Sequence, residues 1–212
     1  MFSVIFDMDG TLLDTQSIYI PAWEYSGKKQ KIFGMGEHIR YVCGMNEAGW
    51  LNYLKINFPS LDVEQFVKDV NEYITNNLDL SLKKGAEELL KYLKHRNIKM
   101  AVASGSPVDK VRKHLSRVGV IDYFEAFAGS RDVKNGKPAP DVFLLAAKRL
   151  GAKSEDCFVI EDSDNGIRAG YAAGMKCIGI PDVVEFSYEI KKLMSAEFKA
   201  LDEVIDFFEN KV

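Results

Sequence analysis

The hydrophobic pattern of the chain alternates between short apolar runs and longer amphipathic stretches. Apolar runs predict buried β-strands at 2–6, 98–103, 124–128, 157–160 and 176–180, with a sixth strand at 197–200. Between them, apolar residues recur at three- and four-residue spacing, which predicts α-helices over 85–96, 108–118, 140–150, 165–173 and from 202 onward. Strands and helices that alternate in this way indicate an α/β fold, with a parallel sheet and helices on both of its faces.

One segment interrupts this alternation. Residues 15–81 carry apolar side chains at helical spacing without a convincing strand, and helices are expected over 15–26, 36–42, 47–57 and 62–77. Asn46 and Asp62 are suited to cap the last two of these helices. A solvated loop is expected to contain Lys28, Lys29 and Lys31. The predicted organisation is an α/β core of residues 1–14 and 82–212, interrupted by a small all-helical cap of residues 15–81 that lies over the strand ends.

Composition and charge narrow the class of protein. The chain has 212 residues and a formal net charge of −3 at pH 7, which gives no reason to expect nucleic acid or an anionic membrane as a partner. No apolar run approaches the length of about 18 residues that spans a bilayer, and the first strand begins without a basic leader. The three cysteines lack the spacing of a zinc site, so free thiols are expected. We therefore expect a monomeric cytoplasmic protein.

Two acidic residues directly follow the first predicted strand. Ligands of an open parallel sheet bind beyond the carboxyl ends of its strands, which is where Asp7 and Asp9 stand. Residues i and i+2 share one side of a strand, so both carboxylates are able to face one site, and Gly10 allows a sharp turn after them. A solvated turn explains a bare Asp-x-Asp pair equally well. A calcium-binding EF-hand loop is excluded, because its glycine stands sixth whereas Gly10 is fourth from Asp7.

Polar residues also follow later strands and precede later helices. Ser104 and Gly105 follow the second predicted strand, where a hydroxyl and free N–H groups can bind an anion, although an ordinary N-cap is the commoner role. Lys137 stands between a glycine and a proline, a stiffer setting than that of most solvated lysines. Glu161 and Asp162 follow the fourth strand. Acids gathered at one sheet edge repel one another unless they lie far apart in solvent or a divalent cation neutralises them, and oxygen ligands beside a phosphate favour Mg²⁺.

These strings of residues, in this order, resemble the four motifs of the haloacid dehalogenase superfamily. The matching strings are Asp-Met-Asp-Gly-Thr-Leu-Leu-Asp at 7–14, Ser104 after its strand, Lys-Pro-Ala-Pro-Asp at 137–141 and Glu-Asp-Ser-Asp-Asn-Gly-Ile-Arg-Ala-Gly at 161–170. The insert and the last two strings are especially similar to the β-phosphoglucomutase-like branch, and the resemblance covers essentially the whole chain. It implies a Rossmann-like core with a helical cap and a Mg²⁺-dependent phosphatase activity.

The resemblance also implies a role for each matched residue. Asp7 would attack phosphorus and form an aspartyl-phosphate, while Asp9 would protonate the leaving oxygen and then take a proton from water. The implied catalytic residues are Asp7, Asp9, Ser104 and Lys137. The implied ligands of Mg²⁺ are Asp7, Asp9 through its backbone carbonyl, Asp162, and Glu161 directly or through water. The implied substrate-binding residues are Thr11, Ser104, Gly105 and Lys137.

The expected reaction is hydrolysis of a small phosphorylated metabolite, with a sugar phosphate as the first candidate. The alternative is a sugar-phosphate mutase of the β-phosphoglucomutase type. Mutases of this family carry a histidine in the first insert helix and an arginine later in the insert, whereas this chain has Tyr19 and the stretch 44–47 at the corresponding places. Dehalogenation, phosphonate hydrolysis and a purely regulatory role fit the residues less well. The insert residues expected to face the substrate, each of which also suits the core of the insert, are Tyr19, Trp23, Met45, Asn46 and Trp50.

Overall fold

Six parallel strands form the sheet at the centre of the protein. The computed structural model describes residues 2–210. The strands are β1 (Ser3–Phe6), β2 (Met100–Ala103), β3 (Ala126–Ala128), β4 (Cys157–Glu161), β5 (Lys176–Gly179) and β6 (Met194–Glu197). Their order across the sheet is β3-β2-β1-β4-β5-β6, and every neighbouring pair is parallel. β1 therefore lies inside the sheet, and its carboxyl end meets those of β2 and β4 at one edge.

Ten α-helices accompany the sheet in the described part of the chain. Four of them precede residue 78, namely α1 (Gln16–Lys29), α2 (Ile39–Val42), α3 (Glu47–Asn57) and α4 (Val63–Asn77). The other six are α5 (Ala86–His95), α6 (Val108–Arg117), α7 (Asp141–Leu150), α8 (Asp164–Ala172), α9 (Tyr188–Lys191) and α10 (Val204–Glu209). From α5 onward, helices and strands alternate, as the hydrophobic pattern predicts.

The side chains of each strand point alternately into two hydrophobic layers. Val4 and Phe6 of β1 belong to one buried cluster, together with residues of α5, α6 and α10, whereas Ile5 belongs to the other, together with residues of α7, α8 and α9. This alternation follows from the two-residue period of a strand. Because helices cover both faces, most positions of the central strands are buried on either side, which explains the continuous apolar runs in the sequence. The predicted α/β class with a Rossmann-like core is confirmed.

The helices α1–α4 bury a third cluster of apolar side chains. Trp23, Leu54 and Phe66 are among its members. The rings of Trp23 and Phe66 meet edge to face with their centroids 5.4 Å apart, and those of Trp23 and Trp50 lie 6.0 Å apart. This part of the chain thus has a hydrophobic core separate from the two layers of the sheet.

Side-chain caps fix the starts of α3 and α4. The Asn46 Oδ1 atom accepts a hydrogen bond from the Gly49 N–H at 3.0 Å, and the Asp62 Oδ1 atom accepts one from the Gln65 N–H at 3.0 Å. Each bond satisfies an N–H group that the first turn of a helix leaves without a partner. The predicted capping roles of Asn46 and Asp62 are confirmed.

The predicted lysine loop is wrong for Lys28 and Lys29, whereas Lys31 does lie exposed in the turn after α1. Lys28 and Lys29 lie in the last turn of α1, beyond the predicted end of that helix at residue 26. The Lys29 Nζ atom binds Asp69 Oδ1 at 2.6 Å, and the Asp69 side chain on α4 is 2% exposed. An ion pair between two helices, which hydrophobic spacing does not reveal, accounts for the extra turn.

The last strand is also displaced from its predicted position. β6 spans Met194–Glu197 rather than 197–200, with Cys177 of β5 opposite Met194 and Gly179 opposite Glu197. Phe198, a large apolar residue of the predicted strand, packs instead, partly buried, against the cluster that includes residues of α5, α6 and α10. The short helix α9 was not predicted.

The chain passes between the sheet and the helices α1–α4 at two points that lie side by side. The Asp14 N–H donates to the Ser81 C=O at 3.0 Å, and the Lys83 N–H donates to the Leu12 C=O at 2.8 Å. This pairing holds the helical segment beside the carboxyl end of β1. The domain limits, with a core of 1–14 and 82–212 and a cap of 15–81, stay a prediction.

Within residues 2–210, no helix combines the length and the apolar character that a membrane crossing requires. Cys43, Cys157 and Cys177 are unpaired. Burial raises the pKa of Cys157 to about 11 and that of Cys177 to about 12, so both thiols stay protonated at neutral pH and are poor nucleophiles.

We expect Leu54→Ala to lower the free energy of unfolding of the helical segment by about 3 kcal/mol, because Leu54 is fully buried and its loss leaves a cavity. The matched control is Ile56→Ala on the same helix, whose side chain is 66% exposed, and this change should cost less than about 0.5 kcal/mol. The measurement is urea denaturation followed by tryptophan fluorescence, since both tryptophans of the chain, Trp23 and Trp50, lie in this segment. Equal losses for the two variants would contradict a separate core.

Candidate active site

The loop after β1 brings its acidic residues to the carboxyl edge of the sheet. The Asp7 N–H donates to the Ile160 C=O at 3.0 Å, so Asp7 still follows the line of the sheet. The chain then turns at Gly10, whose φ is +88°, a conformation that favours glycine. A side chain at Gly10 would collide with the Asp162 carboxylate. Glycine is therefore needed here both for the turn and for the close approach of Asp162.

Three buried carboxylates meet at this edge. Asp7, Glu161 and Asp162 each offer an oxygen, and these oxygens lie within 4.8 Å of one another. The Asp162 Oδ1 atom accepts a hydrogen bond from the Thr11 hydroxyl at 3.0 Å. The Glu161 Oε2 atom accepts two, from the N–H of Ser163 at 2.8 Å and from its hydroxyl at 2.9 Å. A set of oxygen donors only, held in fixed orientations, fits a hard divalent cation.

One ammonium group joins two of these carboxylates. The Lys137 Nζ atom lies 2.5 Å from Asp7 Oδ1 and 2.6 Å from Glu161 Oε1, and it donates to the Ala103 C=O at 3.2 Å. The Lys137 side chain is fully buried. Its three N–H groups therefore each have an acceptor, and the lysine orients Asp7 rather than facing solvent.

The charges of the cluster do not balance. Burial raises the pKa of Asp7 to about 8; Lys137 acts in the opposite direction, while Glu161 and Asp9 add to the rise. Burial, Glu161 and Asp7 together raise the pKa of Asp162. Burial alone would lower the pKa of Lys137, but Asp7 and Glu161 outweigh it and raise that pKa. A further positive charge would relieve the remaining repulsion, which is a second reason why a divalent cation fits.

A serine-rich turn after β2 faces the second acid of the loop. The Ser106 hydroxyl donates to Asp9 Oδ2 at 2.9 Å, and the Ser106 N–H donates to the Ser104 Oγ atom at 3.0 Å. The Asp9 Oδ1 atom is buried and has no hydrogen-bond partner among residues 2–210. The Ser104 N–H donates a hydrogen bond to the Ala128 C=O at 3.0 Å. The hydroxyl proton of Ser104 and one oxygen of Asp9 thus stay free for a ligand.

A cavity of about 290 Å³ extends from Asp9 toward the helical segment. Its lining from the predicted cap includes four of the five expected residues, Tyr19, Trp23, Met45 and Trp50. The fifth, Asn46, caps α3 instead. Gly105 lines the cavity from the other side, and a side chain there would come within 3.0 Å of the Met45 C=O. The cavity therefore lies between the edge of the sheet and α1–α4.

A lysine that the sequence analysis missed lines the same cavity. The Lys110 Nζ atom donates to the Tyr19 hydroxyl at 2.5 Å and lies 5.2 Å from the centre of that ring. Burial acts to lower the pKa of Lys110, but Tyr19 and Asp9 outweigh it and raise that pKa, so the group is charged at neutral pH. Among the described residues, it has no carboxylate within salt-bridge distance and is the only cation in the cavity lining.

The structure gathers the predicted site residues at one edge of the sheet, but of these only Asp9 and Gly105 line the cavity. Thr11 is fully buried behind Asp162 rather than facing the cavity. Three polar residues near the site were missed: Ser106, Lys110 and Asp182. A signal existed for two of them, because Ser106 belongs to the same Ser-Gly-Ser string as Ser104 and Asp182 follows a strand end. Lys110 had no such signal, since it is an ordinary lysine in the first turn of α6.

The chain is similar to known proteins in both sequence and fold. The family model of the haloacid dehalogenase-like hydrolases matches residues 4–180. The chain is 34% identical to the phosphorylated carbohydrates phosphatase of Thermotoga maritima, over 84% of each chain. It is 31% identical to the β-phosphoglucomutase of Bacillus subtilis, over 85% of this chain and 83% of the other. The crystal structure of β-phosphoglucomutase from Clostridium difficile superposes with a TM-score of 0.81 at 25% identity, covering 100% of this chain and 96% of the other.

The predicted resemblance, fold class and enzyme class are confirmed by these matches. Each match covers most of the relative and most of this chain, so the similarity concerns nearly the whole of both proteins rather than one shared motif. The chain belongs to the haloacid dehalogenase-like hydrolases, in the branch that includes phosphatases of phosphorylated carbohydrates and β-phosphoglucomutases.

Proposed function

We propose that the protein hydrolyses phosphate monoesters of small metabolites, sugar phosphates foremost, through an aspartyl-phosphate on Asp7. The observation that carries this proposal is the buried Asp7 carboxylate, held through Oδ1 by Lys137 at 2.5 Å, next to two further carboxylates. A carboxylate fixed in this way has one oxygen oriented for attack. The phosphatase from Thermotoga maritima, whose name gives phosphorylated carbohydrates as substrates, supports the substrate class.

Proton transfer falls to Asp9 in this proposal. As Asp7 forms a bond to phosphorus, the bond from phosphorus to the leaving oxygen breaks, and Asp9 donates a proton to that oxygen. In the second half of the reaction, water attacks the phosphorus of the aspartyl-phosphate and gives a proton to Asp9. The bond between Asp7 and phosphorus then breaks, so that Asp7 is regenerated and phosphate is released. The hydrogen bond from Ser106 at 2.9 Å orients one Asp9 oxygen, and the other oxygen has no protein partner in the described chain.

The phosphoryl group needs donors and a counter-charge. We assign the binding of its oxygens to Ser104 and the Gly105 backbone, with contributions from Thr11 and Lys137, although the last two are engaged with Asp162 and Asp7 in this structure. Phosphatases of the haloacid dehalogenase family generally use a divalent metal. The proposed ion is Mg²⁺, with the Asp7, Glu161 and Asp162 carboxylates and the Asp9 carbonyl as its protein ligands. Mg²⁺ would offset the repulsion between the Asp7 carboxylate and the phosphate.

The helical segment is proposed to act as a cap, with residues 15–81 as its limits. Its residues form one side of the cavity that starts at Asp9. The paired connections at 12–14 and 81–83 provide a place where the segment can move relative to the sheet. Closure over the substrate would exclude water other than the attacking molecule.

A mutase activity is the second candidate, and Lys110 is the observation that favours it. The sequence argument against a mutase depends on the lack of a cation near Tyr19 for a second phosphate. The Lys110 ammonium lies 2.5 Å from the Tyr19 hydroxyl and contacts no carboxylate within salt-bridge distance in the described part of the chain. The relative from Bacillus subtilis is named as a mutase. We rank hydrolysis first, because the places that correspond to the histidine and arginine of the family's mutases hold Tyr19 and the stretch 44–47 in this chain.

We expect Asp7→Asn to reduce kcat by more than about 10³-fold, because an amide oxygen does not replace a carboxylate as nucleophile. The measurement is phosphate release from p-nitrophenyl phosphate and from a panel of sugar phosphates. The matched control is Asp109→Asn, which removes the same charge from a side chain on α6 that is 80% exposed and should leave kcat unchanged. Retention of a tenth of the activity by Asp7→Asn would exclude Asp7 as the nucleophile.

Mg²⁺ should raise the melting temperature of the protein more at about pH 8 than at about pH 5.5. The reason is that the pKa of Asp7 without metal is raised to about 8, so below that pH Mg²⁺ must displace a proton to bind. The measurement is the difference in Tm between excess Mg²⁺ and excess chelator at each pH. Asp109→Asn should behave as the unaltered protein does, whereas Asp162→Asn should lose the shift. An equal rise at both pH values would contradict the proton competition.

The hydrolase should release free phosphate from β-glucose 1-phosphate in the presence of Mg²⁺ and a trace of glucose 1,6-bisphosphate. The measurement follows free phosphate and glucose 6-phosphate together. A mutase would instead form glucose 6-phosphate much faster than phosphate, and Lys110→Met would then slow that reaction while sparing hydrolysis of p-nitrophenyl phosphate. Formation of glucose 6-phosphate much faster than free phosphate would replace the phosphatase proposal with the mutase.

A further inference from the structure

Asp182 is a carboxylate near the site that neither the sequence motifs nor the proposed mechanism uses. It lies on the loop after β5, at the same edge of the sheet as Asp7 and Asp162, and its side chain is 13% exposed. Its Oδ1 atom lies 2.5 Å from the Lys83 Nζ atom. Its Oδ2 atom is buried and has no hydrogen-bond partner in the described residues. An unpaired buried carboxylate oxygen is costly, so its retention calls for an explanation.

The unpaired oxygen lies close to Asp162, one of the proposed metal ligands. A Cβ placed on Gly10 would lie 3.1 Å from Asp182 Oδ2 and would overlap Asp162 Oδ2, so both oxygens approach the same Cα atom. The absence of a side chain at Gly10 is what allows the two carboxylates to come so close.

Lys83 connects this carboxylate to the helical segment. Its backbone N–H donates to the Leu12 C=O at 2.8 Å, which makes it part of the second connection between the sheet and α1–α4. Its ammonium is 22% exposed and binds Asp182. A cation at Asp162 would therefore act on the same Asp182 carboxylate as the ammonium of Lys83 does.

We propose that Asp182 is a positioning residue of the metal site, which attracts the cation through its buried oxygen without ligating it directly, and that Lys83 reduces this attraction. The inference depends on the metal site of the proposed function. Carboxylates that act from outside the ligand set commonly change metal affinity by about 10- to 100-fold. Because coupling between two sites is reciprocal, cation binding also weakens the contact between Asp182 and Lys83. Metal binding is thereby linked to the second connection of the helical segment.

The test is isothermal titration calorimetry of the full-length protein with Mg²⁺ alone, without substrate. Asp182→Asn should weaken Mg²⁺ binding by about tenfold or more, because the attracting charge is lost. Lys83→Met should tighten it by about threefold, because the offsetting charge is lost. The matched control, Lys91→Met, removes the same charge from a lysine on α5 that is 61% exposed and pairs with Glu87, and the Kd should stay within about twofold of its original value.

The opposite signs of the two changes distinguish this role from a structural one. If the ion pair only held the loop in place, both variants would shift the Kd in the same direction or leave it unchanged, and either result would overturn the inference. If Asp182→Asn does not fold, as judged by thermal unfolding in chelator, Lys83→Met decides alone, since unchanged or weaker binding contradicts the proposal. Absence of Mg²⁺ binding by the unaltered protein would overturn the metal site as well. Binding without any phosphatase activity would count against the proposed function only.

Discussion

The buried ammonium of Lys137 is the interaction on which the rest of the site depends. Two carboxylates, Asp7 after β1 and Glu161 at the end of β4, approach each other in a region without solvent, where their repulsion is strong. Lys137 comes from a third segment, the loop before α7, and offsets that repulsion. The sheet edge can therefore form with these acids in place only when all three segments are assembled. The charges of the site are therefore balanced only when the core is correctly assembled.

The architecture separates the residues proposed for the chemistry from the residues that line the cavity on the side of the helical segment. The groups proposed to act on phosphorus lie at the ends of the central strands, which are buried and covered by helices on both faces. The aromatic side chains that line the cavity, Tyr19, Trp23 and Trp50, belong to the helical segment and its separate hydrophobic core. Changes in those residues would alter the cavity without disturbing the sheet. Relatives with similar chains but different named substrates are consistent with this division.

The sequence predicted the parts of this protein that depend on local or periodic signals. Strands and helices followed from hydrophobic spacing, and the acids were found because they stand directly after a strand. The errors arose where a long-range contact decided the outcome. The pair of Lys29 and Asp69 extended α1, and the position of β6 depended on its register with β5. Lys110 was missed for the same reason, since only the tertiary fold brings it to Tyr19.

The strand order has a consequence for how the protein is made. β1 precedes the other five strands of the sheet in the chain, yet its neighbours are distant in sequence: Val4 pairs with Met100, and Ser3 pairs with Cys157. The apolar cluster of the helical segment, by contrast, is contained within residues 19–74. Contacts over short separations form early, whereas distant strand pairings must wait for the later chain. On a ribosome the helical segment is thus able to fold while β1 is still unpaired, and the sheet edge with its acids is completed only after β4 has emerged.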